Sequence, residues 1–250
     1  GSGGAYYLES IASLLTKNCT FSMGTAYRGS AIYIQSSGTI INIKVNFFDN
    51  FAREDGAAMF LSEINILINF MCNIRNNTSS TGSAAGFYIK EGKNITVLES
   101  VFLHNTAIIA SCVLLSYADN FITSHNTFSH NKVNKHAAAL MIDSVQVTFV
   151  WKSQFYQNVA GRHGGSLYIT IGINIEVKNV KFAYNKAKRY AGALYLSHVQ
   201  LTRVSTCLFI LNQVSHRGGA IVGDQIKMLE LNLSFFYRQY SGHSGGAVHT

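Results

Sequence analysis

The feature that most constrains this chain is a repeat. Three small residues followed by an apolar one recur as Gly3-Gly4-Ala5-Tyr6, Gly29-Ser30-Ala31-Ile32, Gly56-Ala57-Ala58-Met59, Ala84-Ala85-Gly86-Phe87, Ala110-Ser111-Cys112-Val113, Ala137-Ala138-Ala139-Leu140, Gly164-Gly165-Ser166-Leu167, Ala191-Gly192-Ala193-Leu194, Gly218-Gly219-Ala220-Ile221 and Gly245-Gly246-Ala247-Val248. With the third residue of each run as an anchor, every spacing is 26, 27 or 28 residues. A fixed period of this length is the mark of a solenoid or array.

A second mark keeps phase before each anchor. An apolar column reads Phe21, Phe47, Ile74, Phe102, Phe128, Phe155, Phe182, Phe209 and Phe235, and three residues later stand Gly24, Asn50, Asn77, Asn105, Asn131, Asn158, Asn185, Asn212 and Arg238. Between the marks the pattern alternates as strands do, for example in Val145-Gln146-Val147-Thr148-Phe149-Val150, and no stretch sustains a helical period. At about 3.3 Å per residue a 27-residue unit closes into a loop of short strands that stacks on its neighbours at about 4.8 Å. The reading is all-β: a parallel β-helix solenoid of about nine coils of ~27 residues, with residues 1–250 as a single repeat domain.

Composition agrees. Hydrophobic residues make up 48% and charged residues 13%, enough apolar surface for a core, and there is no proline where average usage gives about a dozen. Proline removes a ladder hydrogen bond, which a strand flanked on both sides cannot spare. Stacked rings suit the Phe column. Asparagine suits a tight left-handed corner and an amide ladder. No apolar run reaches the length of a membrane helix, and Ile108 to Ala118 is broken by Ser111 and Ser116. The chain starts and stops inside a repeat, which reads as a segment of a longer protein or a module whose ends stack on further copies.

The paired marks resemble the Gly-Gly-Ala-Ile and Phe-x-x-Asn repeats of the chlamydial polymorphic membrane proteins. More widely they resemble right-handed parallel β-helix proteins of the pectin-lyase-like superfamily, and the repeats of large protist surface proteins. The resemblance covers the whole chain and implies a right-handed coil. It specifies fold well and function poorly, because lyases, hydrolases, adhesins and secreted passenger domains share it.

Parity around the anchors assigns faces. The residues one past the anchor are all apolar, those three past it are apolar up to Gly223 and Thr250, and both columns point inward, so the anchors themselves, mostly alanine, and the residues two past them are expected to point outward. The expected outer face is thus an alanine strip beside Tyr7, Tyr33, Phe60, Tyr88, Tyr168 and Tyr195. It reads either as a contact strip for other copies, a covering segment or glycans, or as tyrosines that merely favour strands. The turn before the anchors is basic from the sixth coil on, with Lys135, His136, Arg162, His163, Lys188, Arg189, His216, Arg217 and His243. That row reads as a solvated corner or as a strip for an anionic partner.

Sequons at Asn18, Asn76, Asn94 and Asn232 are candidate N-glycosylation sites, Asn18, Asn76 and Asn232 on outward phases, whereas Asn77 belongs to the inward column. Asn18 and Asn232 are assigned one phase, three residues before the Phe column. Cys19, Cys72 and Cys207 share another phase but lie at least two coils apart, about 9.6 Å, too far for a disulfide. Glu63 and Glu91, five past their anchors on consecutive coils, are the one adjacent carboxylate pair. Glu176, Arg203 and Glu230 line up as a surface ladder. No cofactor, metal-ligand or nucleic-acid motif stands out. The leading expectation is a non-enzymatic extracellular or cell-surface β-helix, structural or adhesive, in a coat, fibre or appendage, with other copies, coat proteins or glycans as partners. The competing expectation is a polysaccharide-binding or polysaccharide-cleaving β-helix.

Overall fold

The computed structural model describes residues 1–110 and 112–250; Ser111 of the fifth small-residue run lies outside the described residues. Among the described residues every regular element is a strand, and the strands wind into a parallel β-helix of about nine coils. A typical coil contributes a long strand (Ile32–Ile43), a three-residue strand (Asn46–Phe48) and a two-residue strand (Phe51–Ala52). Each pairs in parallel with its counterpart one coil on, so the long strands build one sheet and the two short sets build two others. In the last coil the long strand divides into Ile221–Asp224 and Met228–Asn232.

Corners explain the absence of proline. In the coil of Ile32, the chain turns at Ser36, Lys44, Asp49 and Gly56, with φ of 57°, 53°, 54° and 61°. Proline, held near −65°, cannot adopt any of these. The non-glycine corners cost roughly 1–2 kcal/mol each in intrinsic backbone preference, so the surrounding ladder must hold them. At Gly56 a Cβ would lie 2.2 Å from the carbonyl oxygen of Met59. Alanine nevertheless occupies the equivalent corner at Ala84, Ala137 and Ala191.

The asparagine column does not make the left-handed corner expected of it. The residue before it does: Asp49, Asn76, His104 and His130 have positive φ, and this rotation turns the following asparagine inward. Asn50 donates its side-chain amide to Oδ1 of Asn77 at 2.9 Å and to the carbonyl of Phe21 at 3.1 Å. Its backbone N–H also reaches Asn77 Oδ1. The pattern repeats through Asn77, Asn105, Asn131, Asn158, Asn185 and Asn212. Both amide protons and the carbonyl of the inner asparagines are therefore used, which is what burial demands.

The phase of the last coil is corrected by one residue. Phe209 pairs with Phe236, not Phe235, and Asn212 bonds Gln239, not Arg238. Phe235 is exposed and Arg238 is the corner residue. Asn232 accordingly stands one position before the Asn18 phase, at the end of its strand.

The Phe column stacks as expected, with centroid separations of 4.7 Å for Phe102–Phe128 and 4.9 Å for Phe128–Phe155. Ile74 interrupts it, and Phe87 from the column after the anchor fills the gap. Phe87 meets Phe47 at 5.8 Å and Phe102 at 5.5 Å, both edge-on. One ring has moved to another column while the core volume is retained.

The alanine anchors are corrected as well. Ala31, Ala58, Ala139, Ala193 and Ala220 are buried in the main core, not displayed on an outer face. Parity holds only within a strand, and the anchor precedes the strand, just after the left-handed corner. The chain rotates there, so the anchor and the residue after it both face inward.

Among the described residues no disulfide forms. Cys72 and Cys207 are buried thiols bonded to backbone carbonyls, with Cys207 Sγ 3.2 Å from the Ser205 oxygen. No helix among the described residues is long and apolar enough to cross a membrane.

Candidate interaction surfaces

The tyrosine stripe lies outside the core but is largely roofed. Tyr7 stacks on Tyr33 at 5.0 Å, Tyr33 on Phe60 at 5.0 Å, and Tyr168 on Tyr195 at 4.9 Å. Tyr7 is 52% exposed, whereas Phe60 is 5% and Tyr195 7% exposed, and Tyr33, Tyr88 and Tyr168 are half-buried. The roof is the turn before the anchor. Arg28, held by Glu54 at 2.7 Å, lies 5.6 Å from the Phe60 ring centroid. Ala84 and Ala110 pack with Leu114, Tyr88 and Met141, and Ala191 packs with Tyr195, Val222, Tyr168 and Tyr190. An exposed strip running the length of the solenoid is therefore not what these six residues form.

That roof also divides the basic residues. His136 and His163 stack on each other at 5.0 Å and lean against Tyr168 and Tyr195. Burial, helped by Arg162 and Lys135, lowers the His136 imidazole. Burial, with His136, Arg189 and Arg162 nearby, pulls His163 down to about 4. Neither belongs to a cationic strip at neutral pH. The outer row is instead Lys135, Arg162, Arg189, His216 and His243, one per coil and all exposed. Its register follows the backbone bonds from Arg162 N to Lys135 O at 2.8 Å and from Arg189 N to Arg162 O at 2.7 Å. Lys188 and Arg217, also exposed, flank it.

Glu63 and Glu91 face each other across neighbouring strands, since Ser62 pairs with Lys90 and Ile64 with Gly92. Both occupy left-handed bends within the long strands, at φ of 56° and 60°. They line a cleft of about 490 Å³ together with Tyr117, Asp119 and Lys93. Ser36 donates to Glu63 at 2.5 Å, and Lys90 lies 3.6 Å from Glu91. Of the charged ladder further along, Arg203 and Glu230 bond at 2.9 Å. Among the described residues no group of three or more His, Cys, Asp or Glu is arranged to hold a metal ion. Asn18, Asn76, Asn94 and Asn232 are exposed and Asn77 is buried.

A further surface was not assigned from parity. Past the bend, the long strands turn Ile41, Ile43, Ile66, Ile68, Phe70, Leu98, Ile122, Phe149 and Trp151 to the outside, half-buried or, for Ile66, 37% exposed. They adjoin in register: Ile41 beside Ile68, Ile43 beside Phe70, Phe70 beside Leu98, Ile122 beside Phe149. The rings of Phe149 and Trp151 meet at 4.9 Å. From the coil of Ile41 to that of Phe149 are four spacings, about 19 Å. The signal was present as near-continuous apolar runs, Ile66-Leu67-Ile68 and Phe149-Val150-Trp151, which in parallel sheets belong to strands covered on both faces. Here the inner face is covered and the outer is open.

No family model, no curated protein and no solved structure matches the chain.

Proposed function

We propose that this β-helix is a non-catalytic scaffold of an extracellular coat, fibre or appendage that associates laterally through the outer apolar face of its long-strand sheet. The observation that carries the reading is the contrast just described. Strands with the composition of doubly covered strands leave Ile43, Phe70, Phe149 and Trp151 facing outward. Outward apolar residues grouped in this way, broken only by Thr96 and Ser124, mark contact sites. The repeat resemblance to surface proteins and the exposed sequons support an extracellular setting.

Substituting Ile43, Phe70 and Phe149 together by serine tests the reading. Assembly, followed by sedimentation velocity, is expected to disappear while the β-sheet circular dichroism is retained. Unchanged assembly overturns it. The fold is compatible with catalytic roles too, and the cleft of Glu63 and Glu91 favours a second reading, cleavage of a polysaccharide. Release of reducing ends from a panel of polysaccharides, lost in Glu63→Gln or Glu91→Gln, is the result that favours that reading.

A further inference from the structure

Charge is distributed unevenly along the solenoid. Residues 132–250 hold 13 Lys and Arg against 4 Asp and Glu, whereas residues 1–131 hold 7 against 8. Three of these cations, Lys135, Arg162 and Arg189, form a ridge on the sixth, seventh and eighth coils. Among the described residues none of the three enters an ion pair. Like charges directly opposite one another on paired segments destabilise a fold, so this row costs stability unless something anionic lies against it.

The counterpart is on the same molecule, at another corner and on earlier coils. Glu63, Glu91 and Asp119 stand on the third, fourth and fifth coils and line the cleft at the bend together with Lys93, while Lys90 lies 3.6 Å from Glu91. The acidic residues line a concave bend, and the basic ones project from exposed turns. The ridge advances one charge per coil, about 4.8 Å, as do Glu63 and Glu91; Asp119 stands two residues along from that column, opposite Lys93, and lines the same cleft. That pitch discriminates between partners. An extended strand shows one face every second residue, about 6.6 Å, and duplex DNA spaces phosphates about 3.4 Å along each strand. A second parallel β-helix shares the coil pitch of the ridge.

We infer that the ridge of Lys135, Arg162 and Arg189 docks into the Glu63, Glu91 and Asp119 cleft of a second copy of this chain, axes parallel and staggered by three coils, about 14 Å. Because ridge and cleft are different surfaces, the contact is heterologous and each copy offers a free cleft and a free ridge to the next, so it propagates. The inference rests on the lateral-association reading above and adds its register. It uses corners that the apolar band does not occupy.

The test is sedimentation velocity on the 250-residue chain with two triple variants. One carries Lys135→Glu, Arg162→Glu and Arg189→Glu; the other carries Glu63→Lys, Glu91→Lys and Asp119→Lys. Wild type is expected to assemble, with an apparent Kd raised about ten-fold or more on going from low to physiological salt. Each variant alone is expected to lose assembly. An equimolar mixture is expected to regain it, which also shows that both variants are folded. Variants that assemble like wild type, or a mixture that stays monomeric, overturn the charged contact and leave the apolar-face reading standing. A wild-type chain that is monomeric at all salts overturns both. A ridge that retains a sulfated polysaccharide while leaving self-association unchanged overturns the second copy in favour of an anionic glycan.

Discussion

The side-chain amide of Asn131 donates to Oδ1 of Asn158 at 2.9 Å, and the same group reaches back to the carbonyl of Phe102 at 3.1 Å. Asn131 Oδ1 meanwhile accepts from both the backbone and the side chain of Asn105. Asn131→Ala therefore strands a backbone N–H, an amide proton and a carbonyl, all buried. At about 1–3 kcal/mol for each buried group left unpaired, the loss is expected to be about 3–5 kcal/mol by urea denaturation, against a few tenths for Asn134→Ala, whose side chain is exposed.

Ile74 and Phe87 exchange roles in the ring column, so their substitutions are coupled. Ile74→Phe alone forces a ring against Phe87 and is expected to cost about 1–3 kcal/mol. Phe87→Leu alone opens space between Phe47 and Phe102. The double variant rebuilds an unbroken stack and is expected to be more stable than the sum of the singles by about 0.5–3 kcal/mol. A double-mutant cycle on denaturation midpoints measures this, and additivity contradicts it.

The anchor alanines give a direct check on the corrected faces. Ala193 is fully buried, so Ala193→Leu is expected to destabilise by about 1–3 kcal/mol through overpacking. On the outer face expected from parity, the same change would be nearly neutral. Thermal unfolding distinguishes the two.

Those alanines also show how much of the molecule is legible in sequence and where legibility stops. The period, the coil length, the Phe stack and the amide ladder are all written in columns, because stacking repeats one environment every coil. Orientation at corners is not. Four left-handed residues per coil each rotate the chain, and counting by twos across such a residue reverses the face, so parity puts Ala193 outside and gives no sign of Ile68 on the outer face. Phe235 and Phe236 are both rings, and glutamine, one methylene longer than asparagine, ends the ladder at Gln239, so the column pattern alone does not separate the two phases. The roof over Tyr195 depends on His163 and Tyr190, contributed by the turns of its own and the preceding coil, which no single repeat unit displays.

His163 makes stability depend on pH. Its folded-state pKa of about 4 lies below the unfolded value of 6.5, so the unfolded chain binds the proton more readily between these limits. The neutral ring's contribution is complete above pH 6.5 and is lost as pH falls toward 4. Thermal unfolding at pH 7 and pH 4.5 is expected to show a lower Tm at the acid value. His163→Phe, which preserves the stack on His136 and Tyr190, is expected to shrink that difference; an unchanged difference contradicts the assignment.

Trp151 is the only tryptophan in the chain and stands at the edge of the outer apolar face beside Phe149. Its fluorescence, recorded with sedimentation velocity across a concentration series, tests the lateral-association account most directly. The account predicts that emission moves to shorter wavelength and iodide quenching falls as the chain assembles, and that the Ile43, Phe70 and Phe149 serine variant shows neither change. Emission and quenching that stay constant while the chain assembles, or a chain that remains monomeric throughout, would contradict it.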